Sequence, residues 1–374
     1  MLRHLGEKGG IVVYTRHLLE ALLAIDSGDE YHLLYRDPAL LGGFAHHPRV
    51  REVLLPGRSK LYWDQVQVPS YARRQGLDLI FQPKLSVPLV APCPTAFALH
   101  GAEQLAVAEV FPWTNRLYNQ VMMPWYCRRA GAVLVLTRTA AADTVRLVGA
   151  DPAKVHAIPC AQHARFHPVP FAEAEEVRLR YGLPERYLLF VGGLNPLKNF
   201  SNLLRAYALL RDRIPQQLVA VGFKRWRFDG DLRQVEELGL DGAVHFPGFL
   251  PDEDLPALYS RADLFVLPSL YEGFGIPVAE AMACGCPVVT TTTGCSPEVA
   301  GGAAILVDPY DPRAIADGIL RALEDEPLRA EMIRKGLVRA AEFSWEKTAR
   351  ETLDLFHTLV AARAEARGAE PVAG

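Results

Sequence analysis

Two glutamates eight positions apart, Glu272 and Glu280, stand in the segment of this sequence richest in chemistry-bearing residues: Pro268-Ser269-Leu270-Tyr271-Glu272-Gly273-Phe274-Gly275-Ile276-Pro277-Val278-Ala279-Glu280-Ala281-Met282-Ala283-Cys284-Gly285. The segment follows an apolar, strand-like run over 264–267 and opens a helix, for which Pro277 suits the first turn. Gly273 and Gly275 let the backbone of the turn come close to a ligand. The amides of Phe274, Gly275 and Ile276 then point outward from a helix N-terminus, whose partial positive charge attracts an anion. Glu272 falls on the loop and Glu280 inside the helix, so the two can reach different parts of one extended ligand. Carboxylates are natural acceptors for sugar hydroxyls. The plain alternative is a solvated loop residue and an exposed helix residue. Against it, Glu280 is flanked by Ala279, Ala281, Met282 and Ala283, too apolar a stretch for a solvent-facing turn, and a carboxylate held there needs a partner.

Other constellations are thinner. Gly192-Gly193-Leu194-Asn195-Pro196-Leu197-Lys198 follows a strand-like run but is no P-loop: it lacks the second glycine, and Asn199 stands where Ser or Thr is required. No GxGxxG follows any strand, which argues against a nicotinamide enzyme. His100 ends an apolar strand and precedes Gly101; a histidine at such a place is either structural or faces a ligand at the carboxyl end of a parallel sheet. Gly9-Gly10 precedes a helical pattern as in a first βα unit. None of the six cysteines forms a CxxC pair, and Cys284 and Cys286 are too close for a zinc finger, so they read as small buried residues and no metal is expected. The segment 111–129 carries Trp113, Tyr118, Met122, Met123, Trp125 and Tyr126 and closes on Arg128-Arg129. It reads either as a core-facing helix disturbed at Pro124 or as an interfacial anchor.

Elements able to position these residues recur along the chain. Strand-like runs occupy 31–35, 78–82, 95–100, 132–137 and 155–159, then 187–191, 217–221, 244–246, 264–267, 287–290 and 304–307. Amphipathic stretches such as 14–25, 200–213 and 313–323 alternate with them. Strands separated by helices imply βαβ units, hence parallel sheets buried on both faces, and two successive series imply two doubly wound α/β domains with ligands at the carboxyl ends of the strands. The Pro-rich stretch 164–184 punctuates the two series. We therefore expect an N-terminal domain over 1–165, a second over 166–344, and a helix over 345–374 that packs back toward the first.

Length and composition agree. At 374 residues, 50% hydrophobic and 22% charged, the chain is neither disordered nor built around a membrane span, and no signal peptide is read at its start. A cytoplasmic location is expected. The net charge of −3 divides unevenly: 18 basic against 13 acidic residues over 1–165, a balance of +5, and 22 against 30 over 166–374, a balance of −8. Neither half carries the concentrated basic stripe of a nucleic-acid partner, whereas a mildly basic half suits an anionic membrane surface.

The segment around Glu272 and Glu280 resembles the E-x7-E signature of the family 4 retaining glycosyltransferases (glycosyl transferases group 1). Tyr187-Leu188-Leu189-Phe190-Val191-Gly192-Gly193-Leu194-Asn195-Pro196-Leu197-Lys198-Asn199 is similar to that family's strand and phosphate-binding loop, and Phe246-Pro247-Gly248-Phe249-Leu250 to the loop that receives the nucleobase. Cys286-Pro287-Val288-Val289, Ser296-Pro297-Glu298-Val299 and Leu306-Val307-Asp308-Pro309 continue the likeness. The resemblance implies a GT-B fold, two Rossmann-like domains facing a cleft. It implies that Lys198 neutralises a donor diphosphate, Glu280 binds the ribose hydroxyls and Glu272 a hydroxyl of the transferred sugar. Gly273, Phe274, Gly275 and Ile276 would hold sugar and phosphate through their amides. Leu250 would lie at the base, Gly193 in the phosphate loop, His100 on the donor-sugar side, and Gly10 near acceptor and phosphate. The chain departs from the pattern at Gly193 and Leu197, where basic residues are common in the family, and at Gly101, where the family carries Asp after its histidine. Arg225 and Arg227 are candidate substitutes for the missing cations. The family's first strand lies upstream of Gly9-Gly10 and is not found here.

The activity so implied is transfer of a mannose- or glucose-type hexose from a nucleotide-sugar donor to a saccharide or lipid-linked acceptor, with retention and without metal. Polysaccharide or glycolipid assembly at the cytoplasmic face of a membrane is the implied setting. A catalytically idle sugar-nucleotide-binding or scaffold protein is the alternative, and a GT-B epimerase or phosphorylase a third.

Overall fold

A computed structural model describes residues 9–57, 59–84, 86–222 and 228–368. The chain divides into two compact units, one formed by the residues up to Cys160 together with those from Trp345 onward, the other by Ala161–Ser344. The change of unit comes slightly before the Pro-rich stretch expected to mark it. The reason is local: Gln162 Nε2 donates to Ala340 O (3.0 Å), Val169 N donates to Ser260 Oγ (3.0 Å), and the Phe166 ring packs on Tyr259 at 5.9 Å, all within the second unit.

In the first unit β1 (Tyr31–Tyr35) and β2 (Val50–Leu54) form a parallel pair, while β3 (Ile80–Gln82), β4 (Thr95–Leu99), β5 (Ala132–Val135) and β6 (Val155–Ala157) form a parallel sheet in that order. Only β2 was not expected from the sequence. Its Val-Arg-Glu-Val-Leu run is half-exposed, and Glu52 is held by Tyr35 Oη (2.9 Å) and the amides of Gly42 (2.6 Å) and Phe44 (3.1 Å), partners outside the strand itself. Phe97, Leu99, Val133 and Val135 are buried under Met123, Tyr126 and Cys127 of the helix Trp113–Arg129. That helix runs unbroken through Pro124. One face therefore covers the core, as the first of the two sequence readings has it, while Trp113, Leu117, Val121 and Trp125 stay exposed. The helix Trp345–Gly368 belongs to this unit: Trp345 packs against Tyr14 (5.9 Å) and His17 (5.6 Å), Phe356 against Phe81 (5.0 Å), and Thr348 Oγ1 donates to Pro159 O (2.6 Å).

The second unit holds one parallel sheet in the order β12 (Ala304–Val307), β11 (Val288–Thr291), β10 (Leu264–Val266), β7 (Tyr187–Val191), β8 (Gln217–Val221), β9 (Val244–Gly248). The two central strands are entirely buried, which explains their uninterrupted apolar sequence. The helix Phe200–Leu210 buries Phe200, Leu203, Leu204, Tyr207 and Leu210, the recurring face of an amphipathic helix. All six cysteines are buried free thiols. Among the described residues no helix is long and apolar enough to cross a membrane.

Candidate functional site

Strands β7 and β10 are neighbours, pairing Leu188 with Leu264 and Leu189 with Phe265. From β7 the chain builds outward to β8 and β9 on one side, and from β10 to β11 and β12 on the other. The order thus reverses between these two strands. In parallel α/β sheets such a reversal point, beside the loops that leave the carboxyl ends of the two strands, is the usual place for a ligand. The two loops are those singled out in the sequence: 192–199 after β7 and 267–275 after β10.

Backbone and side-chain bonds fix them against each other. Leu270 N donates to Leu197 O (2.9 Å). Asn199, held at φ 57°, uses its buried amide to donate to Pro268 O (3.0 Å) and Pro309 O (2.6 Å). Asn195 Oδ1 accepts from Leu197 N (3.0 Å) and caps the turn that carries Lys198. Where β8 ends, Gly222 adopts φ +154° and a Cβ there would stand 1.8 Å from Gly192 O, so the start of the 192–199 loop leaves room only for a glycine. Gly222→Ala is expected to cost on the order of 3 kcal/mol or more in a denaturant melt and to weaken nucleotide binding.

Within this frame Lys198 Nζ donates to Glu272 Oε1 at 2.5 Å, and Ser269 Oγ donates to the same oxygen at 2.6 Å. Both charged side chains are largely shielded, 17% and 11% exposed. With those two bonds on Oε1, Oε2 is the oxygen that can turn to a hydroxyl of a ligand. The Glu272 backbone is gripped too: Cys295 N donates to its carbonyl (3.3 Å), and Gly294, at φ +58°, lies where a Cβ would come within 3.0 Å of Glu272 N. Behind, Thr291 Oγ1 donates to Ser269 O (3.1 Å). Gly275, at φ 85°, caps the helix Ile276–Ala283 with Pro277 in its first turn, and the buried ring of Phe274 anchors the turn edge-on against Phe343 at 5.1 Å. The amides of Gly273, Phe274, Gly275 and Ile276 thereby gather at a fixed helix N-terminus beside the Lys198–Glu272 pair.

Glu280 is buried, at 8% exposure, and has the partner its apolar surroundings demanded: Tyr259 Oη donates to Oε2 at 3.0 Å. Burial pushes its carboxyl up to about 7, only partly opposed by the Tyr259 hydrogen bond. Burial and the Glu280 charge raise Tyr259 well above its ordinary value, so it stays a donor. Leu250 follows β9 with its side chain buried, on the sheet edge where Gly192 N donates to Val221 O and Gly222 N to Gly248 O (both 2.9 Å). Gly193 belongs to that same edge; Asn195 Nδ2 donates to its carbonyl (3.1 Å). Arg225 and Arg227 lie outside the described residues.

Two of the expected site residues belong to the first unit. Gly10 opens the helix Gly10–Ala24, which Gly9 caps at φ 136°. Tyr14 of that helix meets His100 edge-on at 4.8 Å, and His100 Nε2 bonds Pro83 O at 2.7 Å, so that nitrogen carries a proton because a carbonyl only accepts. Gly10's helix and His100 are thus brought together at the carboxyl ends of β3 and β4. Ser269, Tyr259 and Gly294 were missed by sequence reasoning. Ser269 stood inside the motif, but nothing in the sequence turns its hydroxyl inward. Among the described residues no group of three or more His, Cys, Asp or Glu stands together as a metal site.

Comparison with known proteins agrees with this fold. Residues 173–339 match the family described as glycosyl transferases group 1, and residues 8–162 match glycosyltransferase family 4. The chain is 36% identical over 233 residues to an O-antigen chain mannosyltransferase B of Escherichia coli, a match covering 62% of this chain and 61% of that protein. It is 36% identical over 253 residues to a D-inositol 3-phosphate glycosyltransferase of Salinispora arenicola, covering 62% and 56%. The chain thus spans about three fifths of the length of these curated relatives. A sucrose-phosphate synthase from Thermosynechococcus elongatus superimposes with a TM-score of 0.76 at 26% identity, covering 95% of this chain and 94% of that one. The Anabaena protein HepE, solved with UDP-glucose, does so at 0.76 and 22% identity over 94% and 97%, and shares the fold.

Proposed function

The chain belongs to the family 4 glycosyltransferases and has their GT-B fold of two Rossmann-like units; from that premise we propose that it transfers a mannose- or glucose-type hexose from a nucleotide sugar to a saccharide or lipid-linked acceptor, with retention and without a metal. The observation that carries this reading is the Lys198–Glu272–Ser269 cluster beside the helix N-terminus at the sheet's reversal point. Mannosyltransferases among the relatives and a UDP-glucose complex among the fold neighbours support the donor class.

In this reading the diphosphate takes Lys198 and the amides of Gly273–Ile276, donors fixed before the ligand arrives, where negative charge grows as the bond breaks. Glu272 accepts from a hydroxyl of the sugar and Glu280 from the ribose, while Leu250 offers its backbone to the base. His100 and Gly10 are assigned to the transferred sugar and to the acceptor and phosphate. The bond between the anomeric carbon and the diphosphate breaks, a bond from that carbon to the acceptor oxygen forms on the same face, and a diphosphate oxygen takes the acceptor's proton. The reading places the protein in the cytoplasm, working at the cytoplasmic face of a membrane.

A thermal-shift panel of UDP-, GDP- and ADP-sugars tests it. One nucleotide class is expected to raise the melting temperature by several degrees, and Glu280→Ala to abolish the shift. A chain that no donor stabilises is not a transferase of this class.

A further inference from the structure

We infer that Asp64 and Gln65 are positioning residues for His100: from a widened turn of their helix they hold the chain that follows β3, and through Pro83 O that chain keeps the imidazole proton on Nε2.

The helical run over 60–75 is not uniform. Over Trp63–Gln67 it widens to a π turn, with Val68 N donating to Trp63 O five residues back. Pro69 follows; it has no N–H for Gln65 O and its ring crowds that carbonyl, which a wider turn relieves. Such turns are rare, and frequent at functional sites. Here the buried Trp63 pins the turn by donating from Nε1 to Leu55 O (2.7 Å), and the two residues after it reach one stretch of chain. The Gln65 amide pairs like a peptide group, donating from Nε2 to Val87 O (3.0 Å) and accepting at Oε1 from Leu89 N (2.8 Å). The Ser86 hydroxyl is shared between Asp64 Oδ2 (3.1 Å) and Gln82 Oε1 (2.7 Å), which accept from it.

Gln82 is the last residue of β3, so Asp64 and Ser86 act on the strand end from which Pro83 leaves. Pro83 O accepts from His100 Nε2 at 2.7 Å, and Tyr14 meets the same ring edge-on at 4.8 Å. With the proton on Nε2, Nδ1 is the acceptor of the neutral ring. Asp64, Gln82 and Ser86 are 2%, 1% and 3% exposed. Apolar residues would fill that space without the cost of taking a carboxylate out of water. What a buried polar network supplies in exchange is a single arrangement of the groups attached to it.

The inference rests on the transferase reading only for what His100 meets, a hydroxyl of the transferred sugar. The hold on the ring is tested without substrate. The full chain is prepared with histidine labelled in its ring nitrogens, and nitrogen–proton correlation at alkaline pH distinguishes the two tautomers. His100→Gln identifies the His100 signals by their loss. The wild type is expected to show one tautomer, protonated at Nε2. Gln65→Met and Ser86→Ala are each expected to divide the His100 signals between two tautomers. Thermal melts confirm folding, and Ser86→Ala, the smaller change, decides the matter should Gln65→Met fold poorly. In turnover of the nucleotide sugar that the thermal-shift panel identifies, both variants should lower kcat about tenfold and leave the donor KM within about twofold, because the proposed diphosphate contacts belong to the other unit. A His100 ring that keeps Nε2 protonated in both variants overturns the inference, even beside a lower kcat, since a loosened fold alone would lower it. A wild-type ring already divided between tautomers overturns it too. If the wild type turns over no donor, the transferase reading falls by itself and the ring signals still decide this one.

Discussion

Lys198→Ala is expected to lower nucleoside diphosphate affinity by about 100- to 1,000-fold, whereas Glu272→Gln should leave that affinity unchanged or raise it while reducing sugar transfer by a similar factor. The asymmetry follows from the 2.5 Å contact between the two side chains. Without ligand, each neutralises the other inside a largely shielded corner. An arriving diphosphate must share or take the ammonium from Glu272, so part of its attraction to Lys198 is spent on loosening the pair. Neutralising Glu272 removes that cost. Removing Lys198 does the reverse, because it leaves a shielded carboxylate facing two phosphates with only Ser269 for a partner. The double variant is therefore expected to bind nucleoside diphosphate better than Lys198→Ala alone, a coupling of about 1–3 kcal/mol. Calorimetric titration of UDP, GDP and ADP into the four proteins measures it. Additive losses from the two substitutions would mean that the side chains do not act as a unit. A Glu272→Gln enzyme with undiminished transfer would remove the sugar contact from the proposal.

Much of this arrangement is legible in the sequence wherever burial leaves a local mark. Tyr187-Leu188-Leu189-Phe190-Val191 reads as a buried strand because both its faces are covered, and Pro277 after two glycines reads as a helix start because few other conformations accept that order. The need of Glu280 for a partner is legible too, from its four apolar neighbours. That the partner is Tyr259 is not, since the tyrosine sits on a different helix, Leu255–Arg261, which only the fold brings alongside. The same holds for Lys198 and Glu272. Each can be assigned separately to a ligand, but their meeting depends on β7 and β10 being adjacent, and no local spacing encodes strand order. β2 escaped notice for the opposite reason. Its charged residues look like loop until Tyr35 and the turn amides of Gly42 and Phe44 are seen to hold Glu52. The helix Trp113–Arg129 carries apolar residues on all sides, so its sequence allows an interfacial helix beside the core helix that the following strand calls for. The structure assigns the core to one face and leaves the other uncovered.

Glu280→Gln is expected to stabilise the protein at alkaline pH and to weaken donor binding there, two effects with opposite signs from one side chain. Burial raises the folded-state carboxyl from its ordinary 4.5 to about 7. The folded protein thus holds a proton that the unfolded chain releases between those values, and stability falls as pH rises through that window. Above it the ionised, buried carboxylate costs about 3 kcal/mol relative to a neutral isostere, and below the unfolded value it costs nothing. The stability gap between Glu280→Gln and wild type should therefore open with rising pH and close at low pH in urea melts. Donor binding runs the other way. A ribose hydroxyl donates best to an ionised acceptor, so wild-type affinity should drop as pH falls through about 7, by up to about tenfold per pH unit, while the glutamine variant binds weakly with little pH dependence. Tyr259 keeps its proton throughout and donates in either state, so it does not cancel the effect. A constant stability gap across pH would show that Glu280 ionises normally in the fold. A stability gap that opens with pH beside an unchanged affinity would show that the buried carboxylate is real and that the ribose lies elsewhere.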